Sequence, residues 1–493
     1  MNIIVALPVL VPLVCAAAAL VVRGLLAQRT LSFAALLTSF GAALVVFVDA
    51  WGTGDIHVVR MGGWPGSFAI TLVADRLSAA MVLIAVAVVG SVLVFAIGQR
   101  AADERSSFYH PVYMVMAAGI AQAFLAGDLF NLFVAFEILL MASYVLLTLE
   151  GTNDQIRAGT TYVVLNVLES FVLLAAVGLV FGATGTVSMA ELPERLAALP
   201  DGTRMGLHLL LLVAFGIKAA VFPLFFWLPD SYPTAPSSVS AVFAGLLTKV
   251  GVYCLIRTQT LLFPGELQDL IVVVGAITMA IGVIGAISHT DMKRILSFHI
   301  VSQIGYMVFG LGLGGAAAVA ATIFYLIHHI PVKTSLFLVE GIVTRDSGSS
   351  TFDRVSGLAR RSPALAVLFL VPALSLAGLP PFSGFLAKFA IVRAGIDDGQ
   401  YLGVAVALAV SLLTLVSMTK IWVGAFWGDV EPASKATTVG VVRHQPLMGV
   451  STLMIVGISL AIAIAAGPLY DYALAAAAQV LDVAGYVGAV RSS

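Results

Sequence analysis

The chain has 493 residues, of which 60% are hydrophobic and only 10% charged, where a soluble globular chain has about 25% charged. Its 25 basic and 26 acidic side chains nearly cancel, which excludes a basic face for neutralising nucleic-acid phosphates. A mean hydropathy of +1.06 leaves too little polar surface to cover a water-soluble core. The chain therefore reads as an all-α polytopic membrane protein.

A crossing helix needs about 20 apolar residues. In chain order such runs fall at 2–22, 30–50, 71–97, 110–127, 128–149, 159–183, 206–228, 235–257, 269–288, 293–313, 316–343, 363–392, 401–427 and 446–468. That makes about fourteen spans, or thirteen if the fourth and fifth, separated only by Ala126-Gly127-Asp128, are one. The first run lacks a basic leader and a convincing cleavage site, so it reads as a retained helix, not a signal peptide. The polar stretches at 184–205, 344–362 and 428–445 are too short for a soluble domain. Residues 470–493 are mildly apolar and are expected at the membrane interface. The result is one membrane domain, 1–493. Its N-terminal helices lie in 1–109, a first group in 110–257, a second in 269–427, and the last helix at 446–468.

Thirteen basic residues follow odd-numbered spans: Arg23, Arg29, Arg100, Arg105, Arg157, Lys293, Arg294, Arg345, Arg354, Arg360, Arg361, Lys435 and Arg443. Seven lie on the other side: Arg60, Arg76, Arg195, Arg204, Arg257, Arg393 and Arg491. Positive residues favour the cytoplasmic side, so both termini are predicted to face outward.

Five basic residues remain, and all are lysines inside expected spans: Lys218, Lys249, Lys333, Lys388 and Lys420. Each costs about 2.5–3.5 kcal/mol at a helix centre. Arginine stays charged in proteins, whereas a desolvated lysine can release its proton. Buried lysines without buried arginines suit a proton path. Lys420 and Lys333 can also be read as snorkelling near span ends. Glu137, Lys218, Lys249, His328 and His329 fall near the middle of four spans, which suggests a chain of titratable groups at one depth. Glu137 and Lys218 form the natural ion pair, because an isolated buried carboxylate would protonate. Glu169 reads either as a second carboxylate of the path or as a helix–helix hydrogen-bonding group. His329 reads either as a proton carrier or as a neutral core imidazole.

Two spans contain breaks. Pro223 follows Lys218 and deprives the carbonyl of Ala219 of its helical partner. Gly378-Leu379-Pro380-Pro381 interrupts the twelfth span, with Lys388 beyond it. Backbone freed at membrane depth survives only inside protein or against a water-filled cavity. The breaks are five spans apart, which suits two inverted five-helix repeats, spans 4–8 and 9–13, with broken helices 7 and 12. Paired broken helices point to a transporter site. Cys15 and Cys254 lie in apolar runs, and Cys-x-x-Cys, P-loop and His-Glu-x-x-His patterns do not occur. No cofactor, nucleic acid or metal is expected.

The runs Phe215-Gly-Ile-Lys218-Ala-Ala-Val-Phe-Pro223-Leu-Phe-Phe-Trp-Leu-Pro-Asp230, Leu246-Leu-Thr-Lys249, His289-Thr-Asp291-Met-Lys293-Arg294, His329-Ile-Pro-Val-Lys333 and Gly378-Leu-Pro-Pro-Phe-Ser-Gly384-Phe-Leu-Ala-Lys388 are specific in combination. They resemble the antiporter-like membrane subunits of Mrp-type cation/proton antiporters and respiratory complex I. The likeness spans nearly the whole chain, most strongly 110–430. The apolar Pro223–Trp227 run, the following Asp-Ser-Tyr-Pro-Thr-Ala-Pro and lysine at 388 are similar to the D-type Mrp subunits. The alternative is a proton-pumping subunit of NADH:quinone oxidoreductase. The resemblance implies a secondary-transporter subunit, not an enzyme, in a bacterial cytoplasmic membrane. It implies other Mrp subunits as partners in a hetero-oligomer, and protons and Na⁺ as the exchanged ions. Glu137 would modulate Lys218, Lys249 and His329 would pass protons along the midplane, and Lys388 would govern exchange to the outside. His328, Lys333 and Glu169 would assist.

Overall fold

The computed structural model describes residues 2–62, 70–100, 102–428 and 445–492. The segment with Lys435 and Arg443, and the side chain of Arg105, lie outside the described residues. The described residues are 82% helical. Among the described residues twelve helices are long and apolar enough to cross a membrane, from Ile3–Val21 to Pro446–Ile464. Two of the fourteen expected spans fall short of that measure: Tyr109–Leu125, with 17 residues, and the interrupted pair Pro363–Ala377 and Ser383–Asp397.

Short polar side chains start several helices by accepting a first-turn amide that has no helical partner. Asp75 accepts from the Ser78 amide, Thr152 from Gln155 and Asp291 from Arg294. Asp128 accepts from Asn131, so Tyr109–Leu125 and Leu129–Leu147 are separate helices. The turn between them is held by a two-stranded antiparallel hairpin, His57–Met61 with Ile70–Ala74, in which His57 faces Ala74. The Gly127 amide donates to the Thr71 carbonyl at 2.8 Å. The expected third span began at 71, but Ile70–Ala74 is strand and the helix runs Arg76–Gln99. A five-residue strand that is mostly apolar satisfies an apolar window as well as a helix start does.

The helix expected at 235–257 continues to Leu262, which moves Arg257 from a loop into a helix. Arg257 is buried, and its guanidinium pairs with Asp75 at 2.6 Å. The expectation that arginine stays out of the spans is corrected here: a paired buried charge is tolerable where a lone one is not. The tail forms Ala466–Leu481 and Val483–Arg491, bent by 73°. Tyr472, Ala473, Ala476 and Tyr486 bury one face of it in the protein.

Three helices are buried nearly all round: Ser237–Leu262, Met292–Gly312 and Gly315–Ser347. Polar residues on such helices face other helices, because no lipid-facing side remains to exclude them. Helix Asp201–Ala219 ends at Ala220, which takes the left-handed conformation (φ 61°). An irregular turn with Pro223 follows before Trp227–Ser231. The second break, after Ala377, turns at Gly378 (φ 84°). Both interruptions lie where the prolines require them.

Candidate functional site

Lys218 is the penultimate residue of Asp201–Ala219 and is 1% exposed. Its ammonium donates to Asn166 Oδ1 at 3.4 Å and lies 5.5 Å from the centre of the Phe136 ring. Of the two acidic groups acting on it, Glu169 is the stronger and Glu137 the weaker. Among the described residues no carboxylate comes within 4.0 Å of the ammonium, so the expected Glu137–Lys218 ion pair is not a direct contact. Neighbouring helical side chains diverge by about 100°, and here Phe136 occupies the side facing Lys218. Asn166 and Glu169 are three residues apart on Asn153–Thr184, so they share a face. Glu169 is fully buried with neither carboxylate oxygen hydrogen-bonded, and Glu137 Oε1 is also unpartnered.

Lys249 lies between this group and the next because its helix packs closely on both sides. A Cβ at Gly251 would meet the Ala219 nitrogen at 2.5 Å and the Lys218 carbonyl carbon at 2.9 Å. On the other side, a Cβ at Gly245 would meet Thr334 Oγ1 at 2.2 Å. Glycine at both positions lets the helix sit against the end of the Lys218 helix and against the helix of His329 and Lys333. A π-turn, Phe243–Leu247, widens the backbone just before Lys249. Such turns recur at functional sites. The Lys249 ammonium donates back to the Ala244 carbonyl at 2.6 Å and to Thr248 Oγ1 at 3.2 Å.

His328, His329 and Lys333 lie on Gly315–Ser347 around Pro331, which removes the amide donor for the Ile327 carbonyl. Lys333 is fully buried with no hydrogen bond, which corrects the snorkelling alternative. Both ring nitrogens of His329 are likewise unpartnered, so a core imidazole with satisfied hydrogen bonds does not describe it. His328 Nδ1 shares a hydrogen bond with Ser383 Oγ at 2.8 Å, which ties it to the helix after the second break. There the Lys388 ammonium donates to the freed Ala377 carbonyl at 3.2 Å and to Ser411 Oγ at 3.1 Å.

Each of these groups lies within electrostatic range of another. Lys249 acts on His329 and Lys333, and Lys388 acts on His328 and His329. The expected residues thus form two sets, Glu137–Glu169–Lys218 and Lys249–His328–His329–Lys333–Lys388, joined at Gly251. Asn166 is an addition, as are His299 and Gln303 of Met292–Gly312. His299 feels both Lys333 and Lys388 and shares a hydrogen bond with Ser417 at 2.9 Å. Gln303 accepts from the Tyr325 hydroxyl at 2.5 Å. The spacing His299, Gln303, Tyr306 marks one face of an apolar helix and was the signal for them. A cleft of about 530 Å³ lined by Phe40, Phe47, Val86 and Ile462 is almost wholly apolar, and none of the ionisable side chains named above lines it.

Apolar helices around a buried file of lysines that links two interrupted helices define a polytopic membrane transport protein. Residues 126–414 match the family described as NADH:quinone oxidoreductase/Mrp antiporter, TM. The D subunit of the Na(+)/H(+) antiporter of Alkalihalophilus pseudofirmus is 41% identical over 496 residues, 99% of each chain. That of Bacillus subtilis is 36% identical over 443 residues, covering 88% of this chain and 89% of the relative. The chain belongs to the NADH:quinone oxidoreductase/Mrp antiporter family of membrane subunits. A chain of the Mrp complex from Dietzia sp. DQ12-45-1b superposes with a TM-score of 0.92 at 34% identity, over 99% of this chain and 100% of that one. A chain of an archaeal membrane-bound sulfane sulfur reductase, at 23% identity and a TM-score of 0.88 over 99% of both chains, shares the fold alone.

Proposed function

We propose that this chain is the D-type subunit of a hetero-oligomeric Mrp antiporter that moves protons through the membrane to drive export of Na⁺ or another monovalent cation. The D-type antiporter relatives and the Mrp complex neighbour support this. The observation that carries it is the placement of Lys249. Glycines press its helix against the backbone at Lys218 on one side and against the His329–Lys333 helix on the other. The buried bases then sit on adjoining helices, which is the arrangement a proton passed between them requires.

In this mechanism Glu137 and Glu169 hold Lys218 charged, and relaxing their influence releases its proton to Lys249. His329 and Lys333 receive it next, and Lys388, at the second break, governs exchange with the outside. His328 orients the second break through Ser383, and the unpartnered polar atoms along the file suit bridging water. Closely spaced lysines repel a bound cation, so Na⁺ is expected to take another route. Spans 4–8 (110–257) and 9–13 (269–427) serve as inverted repeats, each with one interrupted helix. The excess of basic residues after odd spans supports a bacterial cytoplasmic membrane setting with both termini outward.

Replacing Lys218 or Glu137 by Ala in the intact complex should abolish ΔpH-driven cation exchange in membrane vesicles. Wild-type exchange by assembled Lys218→Ala complex would contradict the relay.

A further inference from the structure

Glu340 has no part in the relay described above, yet it is a fully buried carboxylate. It lies on Gly315–Ser347, seven residues beyond Lys333. Seven residues are nearly two helical turns, so the two share a face about 10 Å apart along the axis. Its Oε2 has no hydrogen bond, while Oε1 accepts from the Thr344 hydroxyl. The nearest cation is the Lys293 ammonium at 3.9 Å, whose side chain is 12% exposed and so touches the membrane face.

That face is built firmly around Lys293. The Met292 amide donates to the Ser350 carbonyl at 3.0 Å, and the Ser350 hydroxyl donates to the Asp291 carboxylate. Lys293 and Asp291 are the charged groups acting on Glu340. On the flank, a Cβ at Gly341 would lie 2.6 Å from Ser237 Cβ, so the start of Ser237–Leu262 packs directly beside Glu340. The neighbouring Ser238 hydroxyl is buried against that of Tyr109, and neither has a further hydrogen-bond partner. A carboxylate oxygen held only by a lysine at 3.9 Å, two hydroxyls with only each other and the unpaired Lys333 amine would be costly in a dry core. They suit a hydrated passage.

We propose that Glu340 is the proton-loading carboxylate of a passage joining the membrane face of Asp291 and Lys293 to the relay at Lys333. The proposal rests on the relay reading given under Proposed function. A proton from the aqueous face protonates the Glu340 carboxylate, leaving a neutral carboxyl beside Lys293. The O–H bond then breaks towards Lys333 through hydroxyls and water, an ammonium forms there, and the carboxylate returns to the field of Lys293. One proton enters and one reaches Lys333, with no net change at Glu340.

The test uses the intact complex in membrane vesicles, with purified complex measured for assembly and Lys218→Ala as reference. Glu340→Gln should lower exchange by about tenfold or more, and Glu340→Asp should restore part of it with an altered pH profile. The passage is overturned if Glu340→Gln keeps the wild-type rate and pH profile while Lys218→Ala abolishes exchange. It is equally overturned if Glu340→Gln lowers only thermal stability. Retained exchange in Lys218→Ala would remove the relay itself and the passage with it. Should Glu340→Gln fail to assemble, Lys293→Met decides. Loss of the neighbouring charge should displace the pH profile by about one unit, and an unmoved profile overturns the proposal.

Discussion

Lys420 donates to the Ile287 and His289 carbonyls, both at 2.7 Å. It therefore stabilises the end of Gln268–Ser288, where a helix has partial negative charge and carbonyls without partners. Lys333 reads similarly in the sequence but is buried with its ammonium unpaired. One lysine is a helix cap and the other a candidate proton carrier, and only three-dimensional placement separates them. Lys420→Met should lower the stability of the complex by about 1–3 kcal/mol, the scale of hydrogen bonds from a charged group. Exchange per assembled complex should stay unchanged. A thermal-shift assay paired with vesicle exchange checks this, and loss of exchange in fully assembled complex would give Lys420 a transport role.

At the scale of elements, two small residues set the spacing of the file. Gly251→Val would drive a side chain into the Lys218–Ala219 backbone, where the nearest atoms are 2.5–2.9 Å from a single added Cβ. Overpacking of this kind costs about 1–3 kcal/mol, and relief requires the two helices to separate. Exchange should fall more steeply than assembly, as measured by activity normalised to purified complex; a parallel fall would leave Gly251 a packing residue only. The breaks at Pro223 and Gly378–Pro381 were legible because proline and glycine act on the local backbone. So were the mid-span lysines, since buried charge stands out against apolar neighbours. The lack of a direct Glu137–Lys218 contact, the burial of Arg257 and the short hairpin were not. The first depends on which way neighbouring side chains point, as with Phe136 and Glu137. The second depends on an ion pair between residues 182 apart in sequence. The third is too short for its period to be told from the start of a helix.

Across the whole molecule, the three most buried helices hold Lys249, His299 and Gln303, and His328, His329, Lys333 and Glu340. Lipid-facing helices wrap this polar centre, while the outer ends bear arginine. Among the described residues arginine is buried in this centre only at Arg257, where it is paired with Asp75, while Lys293 and Lys420 join the arginines at the helix ends. The claim that ties this arrangement to transport is that the central lysines act by losing and regaining protons. Substitution of Lys249 by Arg tests it directly, because Arg keeps the positive charge and much of the length but does not deprotonate in proteins. The relay predicts that purified, fully assembled Lys249→Arg complex loses proton-driven cation exchange. Exchange at the wild-type rate from that complex would show that a fixed positive charge is sufficient, and would contradict proton transfer through Lys249.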